Sequence, residues 1–306
     1  MYMAGDSMTA NSVTKASFQK KKNGKIAVRF TAIIAACIVV LCTLETVIIV
    51  ERAKKNVIEQ NTTFFQRYAK TNADIIAKTI EEFTSHLDFY TKADVVKTLD
   101  TPQIVEWLKE HESVRDERFD YVAWCDAAGG FYSDIGTVTQ IPDRDYFKAI
   151  MKDGKNFYID NPVSSKVTGK TVLHICSAVN YGGKNVGFFC GVMNVNRLTV
   201  LLDDIDMQGQ GAAVLFDGNG AKIAINGDES AIAAFYDAEG NYIMDSGLLG
   251  VDGGVDWAAD AKGERVLELS SLVKNTPYAM VMNVKSDVIL DLSQKITTLM
   301  VGFSFL

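Results

Sequence analysis

The chain is poor in proline and its five cysteines form no C-x-x-C pair. Four prolines and no low-complexity tract argue against a disordered chain, apart from the polar N-terminus. Five cysteines are too few and too scattered for a secreted disulfide scaffold. Cys37 and Cys42 lie in an apolar run. We therefore expect Cys125, Cys176 and Cys190 to be buried free thiols, with one disulfide among them as the alternative.

The sequence also lacks the motifs of common enzyme classes. It contains no nucleophile elbow, P-loop, dinucleotide fingerprint or zinc-binding helix. Its histidines, His86, His111 and His174, stand far apart, so no metal site is predicted. Without a nucleophile–base pair, we expect a non-enzymatic chain that needs no cofactor. A net charge of −7 argues against nucleic acid as the partner.

One long apolar run is present, at residues 26–50, where Arg29 and Glu45 are the charged residues. As a helix it would be roughly 37 Å long, enough to cross a bilayer. Lysines of the polar tail 1–25 precede it, so the positive-inside rule places the N-terminus in the cytoplasm and the rest outside. A cleaved signal peptide is the alternative, but the run is longer than an ordinary signal core.

Residues 51–100 contain no glycine and no proline. This pattern predicts a long stalk helix that continues from the membrane span. The alternative is two helices with a kink near Asn72 or Asp88. The apolar residues that fit one helical stripe are Phe65, Ala69, Ile76, Ile80, Phe83, Leu87 and Tyr90.

Residues 101–206 have the pattern of one antiparallel module. Pro102 opens a short helix at 101–117, and a second short helix is predicted at 196–205. Asp126 to Gly130 forms the turn of a hairpin. The five predicted strands are 119–125, 131–134, 157–160, 171–179 and 184–195.

Residues 207–284 predict a second, smaller module. Its first hairpin turns at Asn219-Gly220, and this hairpin repeats the Asp126 to Gly130 hairpin in structure but not in sequence. The segment 237–256 is rich in glycine and poorly periodic. The predicted elements are strands 211–217, 221–225, 264–270 and 278–284, with a short helix at 229–235.

The last residues, 285–306, become helical in pattern and increasingly apolar. Residues 296–306 carry no charge but are too few to span a bilayer. We interpret them as the first part of a second transmembrane helix. A buried terminal helix is the alternative.

Four polar residues surround one predicted helix–strand junction. Arg144 offers a planar fork for a carboxylate, and Asp160 offers acceptors for an ammonium. Such a set suits a small zwitterion. Ion pairing of these two residues with each other, or with Asp143 and Asp145, is the more ordinary outcome. The four residues are Arg144, Tyr146, Tyr158 and Asp160.

The sequence around these residues, D-R-D-Y-F followed by D-N-P-V-S-S-K-V-T-G-K, resembles the signature of the double Cache family. Members of that family are extracytoplasmic sensor domains of bacterial receptors. The resemblance covers residues 51 to about 284 and implies an α+β fold, in which a long N-terminal helix carries two PAS-like antiparallel modules. It also implies a ligand pocket in the membrane-distal module.

The resemblance assigns roles to individual residues. Arg144 and Tyr146 match the pair that holds a ligand carboxylate, with Tyr where Trp is usual. Tyr158 and Asp160 match the Tyr-x-Asp that holds the ligand amine. Asn194 stands where a second Asp is expected and cannot supply its charge. An amino acid, a carboxylate or another small polar metabolite is therefore the expected ligand.

Two aromatic residues of the first predicted strand, Tyr121 and Trp124, either line this pocket or belong to the plain core. The strand alternates, so the two side chains point to opposite faces of the sheet.

The whole pattern predicts the sensor half of a receptor in the bacterial inner membrane, dimeric through its long helices. The alternatives are a membrane-anchored structural or adhesion module without a ligand, and an enzyme on a stalk. The output domain, of the chemotaxis, histidine kinase or diguanylate cyclase type, would lie beyond residue 306. The predicted parts are a tail 1–25, a membrane helix 26–50, a sensor 51–284 with stalk 51–100, distal module 101–206 and proximal module 207–284, and an exit segment 285–306.

Overall fold

A computed structural model describes residues 9–205, 207, 209–232, 248, 250–260, 262–290, 295 and 298. The chain divides into two units, Met1–Gln60 with Leu290–Leu306, and Asn61–Ile289. Parts of several predictions lie outside the described residues: the start of the tail, the end of the predicted helix 229–235, most of the glycine-rich segment and most of the exit segment. The elements in chain order are α1 Thr9–Thr91, α2 Thr101–Glu110, β1 Tyr121–Asp126, β2 Gly130–Ser133, β3 Val138–Gln140, α3 Asp145–Phe147, β4 Phe157–Ile159, β5 Val163–Ser164, β6 Thr171–Tyr181, β7 Lys184–Asn194, α4 Val200–Asp203, β8 Gly211–Phe216, β9 Lys222–Gly227, β10 Val255–Ala259, β11 Arg265–Leu272 and β12 Ala279–Lys285.

The smaller unit contains the start of α1. One helix of the described residues is long and apolar enough to cross a membrane. Its apolar side chains in residues 28–49 are exposed to the surroundings. The helix of the predicted membrane span is therefore present, and its placement in a bilayer stays a prediction.

In the larger unit, α1 buries the predicted apolar stripe. Of the seven stripe residues, Ala69, Ile76, Ile80, Phe83, Leu87 and Tyr90 are buried, and Phe65 is half-buried. The helix is continuous through Asn72 and Asp88, so the kink alternative is wrong. Tyr90 packs against Phe189 of β7, with ring centroids 5.6 Å apart, which places α1 on one face of the first sheet.

The first sheet has seven described strands, in the order β3-β2-β1-β7-β6-β4, with β5 also paired to β6. All pairs are antiparallel. β3 and β5 were not predicted, because Val138–Gln140 and Val163–Ser164 lack the run of large apolar and aromatic residues that marks the equally short β4. The face opposite α1 is covered by α3 and the π-helical turn Lys148–Lys152 that continues it. Gly154, with φ of +72°, follows that turn and ends it.

The second sheet has five described strands, in the order β10-β11-β12-β8-β9. Its core contains Val214, Phe216, Ile232 and Val281. β10 was missed in the sequence because it lies at the end of the glycine-rich segment. Two predicted helices are shorter in the structure: Val195–Leu198 is a 3₁₀ turn followed by the single turn α4, and Glu229–Ala231 is a 3₁₀ turn.

The predicted hairpin repeat is confirmed and extends to a third copy. Asp126 Oδ1 accepts hydrogen bonds from the backbone N–H groups two and four residues later, at 2.9 and 2.8 Å. Asp217 does the same at 2.9 and 2.8 Å. Asp260, between β10 and β11, does so at 2.8 and 2.8 Å. In each turn the carboxylate replaces the hydrogen-bond partners that the turning backbone lacks.

The α+β fold with one long helix and two antiparallel modules is thus confirmed. The predicted domain boundaries stay a prediction, with the first sheet ending at Asn194 and the second beginning at Gly211. The three cysteines of the first sheet are buried free thiols, as expected, and burial raises the pKa values of Cys125, Cys176 and Cys190.

Candidate functional site

The face of the first sheet opposite α1 carries most of the predicted site. Residues of this face alternate along the strands, so Tyr121 on β1 and His174 and Cys176 on β6 point to the same side as Val192 on β7. Tyr146 enters this face from α3 and is 2% exposed. The helix begins just after Arg144, whose φ of −74° and ψ of 143° are extended, so the chain turns sharply between the two residues.

A buried histidine–aspartate pair lies at the centre of this face. His174 Nδ1 is 2.7 Å from Asp160 Oδ2, and the backbone N–H of His174 donates to Oδ1 at 2.7 Å. His174 and Asp160 are 4% and 5% exposed. A carboxylate oxygen accepts and a ring N–H donates, so this contact forms in the tautomer that carries its proton on Nδ1. The Tyr146 ring stacks on the imidazole with centroids 4.5 Å apart.

Sequence reasoning missed His174 as a site residue. It assigned the residue to a strand and expected Asp160 to meet Arg144, Asp143, Asp145 or a ligand. The signal that could have found it is the alternation of β6, which puts His174 on the face of Cys176.

Arg144 is half-buried and has no carboxylate partner among the described residues. Its guanidinium donates one hydrogen bond, to the backbone carbonyl of Ser164 at 3.2 Å. Its acidic neighbours in sequence have other partners: Asp143 pairs with Lys166 at 2.8 Å and Asp145 with Lys148 at 2.9 Å. The ion-pair alternative for Arg144 is therefore wrong in the described structure, and the guanidinium donors that Ser164 does not use remain for a ligand carboxylate.

Arg144, Tyr146, Tyr121, His174 and Ser165 line one cavity. It encloses about 10 Å³, room for roughly one water molecule. The turn after β5 forms one wall, where Ser165 Oγ accepts hydrogen bonds from the backbone N–H groups of Val167 and Thr168 at 3.1 Å each. The hydroxyl of Tyr121 lies 3.3 Å from the same Oγ.

Both tyrosines of the cavity stay protonated, and therefore able to donate, at neutral pH. Burial raises the pKa of Tyr121 to about 12. Burial also raises the pKa of Tyr146 above its ordinary value, and the nearby thiols and Asp160 act in the same direction. The cavity thus offers a guanidinium, two phenols and an imidazole to a ligand.

The other predicted site residues lie elsewhere. Trp124 is on the α1 side of the sheet, where Nε1 donates to Thr101 Oγ1 at 3.2 Å. Asn194 caps the turn after β7 and accepts from the N–H of Asn196 at 2.9 Å. Tyr158 packs partly against the core of this face and borders a different, larger cleft. No group of three or more metal-ligating side chains occurs among the residues that the structure describes.

The fold matches solved structures of bacterial sensor domains. The extracellular domain of a histidine kinase, rpHK1S-Z16, superposes with a TM-score of 0.57 at 16% identity over 76% of this chain and 97% of that one. The chain has the fold of an extracellular sensor domain. The ligand-binding domain of the Pseudomonas fluorescens chemoreceptor CtaA with L-isoleucine gives a TM-score of 0.59 at 15% identity, covering 78% and 98%. That of Pseudomonas aeruginosa PctB with L-Arg gives 0.57 at 16%, covering 75% and 97%.

No protein-family model and no curated protein sequence matches the chain. The expected resemblance is therefore confirmed through structure, at the level of the fold.

Proposed function

We propose that the chain is the extracytoplasmic sensor of a bacterial membrane receptor and that it binds a small amino acid or carboxylate on the first module. The observation that carries the proposal is that Arg144, which has no carboxylate partner among the described residues, lines the same cavity as His174, the imidazole that Asp160 holds from behind. A carboxylate ligand would bind the Arg144 fork in two hydrogen bonds. The other end of the ligand would face the imidazole and the tyrosine hydroxyls.

The cavity holds about one water molecule and is too small for an amino acid, so binding needs a movement of the chain. Residues 165–168 form the cover and are held by hydrogen bonds to one serine hydroxyl. A ligand that binds the opened arrangement more tightly shifts the population towards it. This shift is the sensing event in the proposal.

The membrane part of the proposal rests on α1. Its apolar residues between 28 and 49 are exposed, which suits a lipid environment and not water. With the lysine-rich tail in the cytoplasm, the two sheets lie outside the cell. Fold analogy with the chemoreceptor and histidine kinase domains supports a receptor and supplies no enzymatic step.

Calorimetric titration of the 306-residue chain, purified in detergent, tests the ligand. We expect binding of at least one compound in a panel of the twenty amino acids and common dicarboxylates. Arg144→Ala should weaken it by 10-fold or more, and Arg144→Lys should recover part of it. Arg197→Ala is the matched control, because Arg197 is an exposed arginine of the same module. Equal binding by Arg144→Ala and the wild type would discard this site.

A module that binds no small ligand is the second candidate, and the small size of the cavity favours it. Its expected result is no binding across the panel. In that case the first module would serve as a structural spacer or interaction surface.

A further inference from the structure

A second, larger opening lies where α1, β4 and the turn between β11 and β12 meet. Its volume is about 730 Å³, within the range of small-molecule sites and roughly seventy times that of the cavity at Arg144. All of its walls belong to the larger unit, Asn61–Ile289. We call it the junction cleft, because residues of both modules line it.

Two opposite charges on the walls of the junction cleft have no ion-pair partner among the described residues. They are Lys155, before β4, and Glu81 of α1. The Lys155 ammonium lies 5.2 Å from the centre of the Tyr158 ring, a cation–π contact that fixes its place on the wall. Lys274, on the opposite turn, is instead neutralised by Asp74 at 2.8 Å.

The rest of the cleft suits an apolar group with a few polar contacts. Phe157 and Pro277 supply apolar surface, and the buried Ile80 lies at the base of the wall that α1 forms. Thr84 and Thr276 also line the cleft, with their hydroxyls donating to the backbone carbonyls of Ile80 and Val273. A free cation, a free anion and an apolar wall together complement a molecule with a carboxylate, an ammonium and an apolar side chain.

We propose that the junction cleft is a second binding site, for the zwitterion of an apolar amino acid or dipeptide. Lys155 binds its carboxylate and Glu81 its ammonium. The site is separate from the one at Arg144 and does not require that site to be occupied.

The position of the cleft gives its ligand a regulatory role. Tyr158 and Ile159 come just before Asp160, and Pro277 comes just before Tyr278. Tyr278 and Asp160 form a hydrogen bond between the modules. A ligand in the cleft therefore contacts the segments on both sides of that bond, together with α1, and stabilises the arrangement in which the bond is formed.

The test uses the full 306-residue chain in detergent with the Arg144→Ala substitution, so that the first proposed site is silenced. The probes are L-leucine and L-leucyl-L-leucine, and the readout is titration calorimetry. We expect at least one probe to bind. Lys155→Glu and Glu81→Lys should each weaken binding by 10-fold or more. The double swap should restore at least part of the affinity, because the zwitterion can bind in the opposite orientation.

Acetylated and amidated dileucine, which lacks both charges, is the matched probe and should not bind. The proposal is overturned if neither probe binds, if the charge swaps leave affinity within twofold, or if the uncharged probe binds equally well. If a probe binds the wild type but not Arg144→Ala, the junction site is overturned and the proposed site at Arg144 is supported. Both substituted positions are exposed, so unfolding of the variants is not expected, and their melting temperatures check this.

Discussion

The hydroxyl of Tyr278 donates a 2.7 Å hydrogen bond to the backbone carbonyl of Asp160. The two residues belong to different modules and are 1% and 5% exposed. The side chain of Asp160 holds His174 of the candidate site, so one residue contacts both the site and the second module. The backbone N–H of Gly218 adds a second bond across the same boundary, to Asn161 Oδ1 at 2.9 Å.

Removal of this hydroxyl should weaken the link between the modules. Tyr278→Phe keeps the ring and leaves the Asp160 carbonyl without its partner. We expect a loss of about 1–2 kcal/mol in the free energy of unfolding. Hydrogen exchange should also become faster in peptides covering residues 157–164 and 272–282. Urea unfolding and exchange mass spectrometry measure the two effects.

Tyr181→Phe is the control for this substitution, because Tyr181 is 60% exposed at the tip of the β6–β7 hairpin. Its stability should equal that of the wild type within about 0.5 kcal/mol. If Tyr278→Phe keeps the wild-type stability and the exchange of residues 157–164 and 272–282 is unchanged, the hydroxyl does not link the modules.

The His174–Asp160 pair should behave as one unit in unfolding experiments. Each partner is buried, so His174→Gln or Asp160→Asn leaves a buried polar atom poorly satisfied, at roughly 1–3 kcal/mol each. The double variant should be less destabilised than the sum by about 1 kcal/mol or more. A double-mutant cycle by urea unfolding at pH 7 measures the coupling. Additive losses, within about 0.5 kcal/mol, would show that the two side chains act independently.

Asp116 should make stability depend on pH at the acidic end. Hydrogen bonds from the Arg118 side chain lower the pKa of this carboxyl from 3.8 to about 2, against the effect of burial. The folded pKa lies below the unfolded one, so the unfolded chain binds more protons as pH falls through this window. The stabilisation is therefore complete above about pH 4 and is lost between about pH 4 and 2.

Asp116→Asn should accordingly cost about 2 kcal/mol at pH 7 and about half of that at pH 3. Asp145→Asn is the control, because the Asp145 side chain is 78% exposed and its pair with Lys148 should contribute almost nothing. Urea unfolding at the two pH values measures both variants. An equal loss for Asp116→Asn at pH 7 and pH 3 would contradict the assignment.

Much of the fold could be predicted from the sequence because its signals are local. The stripe of α1 and the long strands β6 and β7 show their periodicity over many residues. β3, β5 and β10 could not be predicted. These strands are defined by their pairing with a neighbouring strand, and their own residue patterns do not mark them. The third hairpin turn, at Asp260, was visible in the sequence only after its backbone contacts were known.

The candidate site was less predictable than the fold. Arg144 and Tyr146, which the resemblance paired, line one cavity together with Tyr121, and their part in ligand binding stays a prediction. The partner of Asp160 depends on which residue of β6 stands opposite it, and β6 could have presented either of its faces. For the same reason, the sequence could not show on which side of the sheet Trp124 lies.

The contact of Trp124 with β7 gives a last prediction about that side of the sheet. A Cβ at Gly187 would collide with the Trp124 ring and would lie 2.8 Å from the carbonyl oxygen of Cys125. Gly187→Ala should therefore destabilise the chain by about 1–3 kcal/mol. Gly250→Ala is the matched control, since no atom of the described residues lies within 4 Å of its added Cβ, and it should change stability by less than about 0.5 kcal/mol. Indole fluorescence during urea unfolding follows both variants. A neutral Gly187→Ala would mean that Trp124 is not fixed against β7, and the indole would then be free to leave the α1 face.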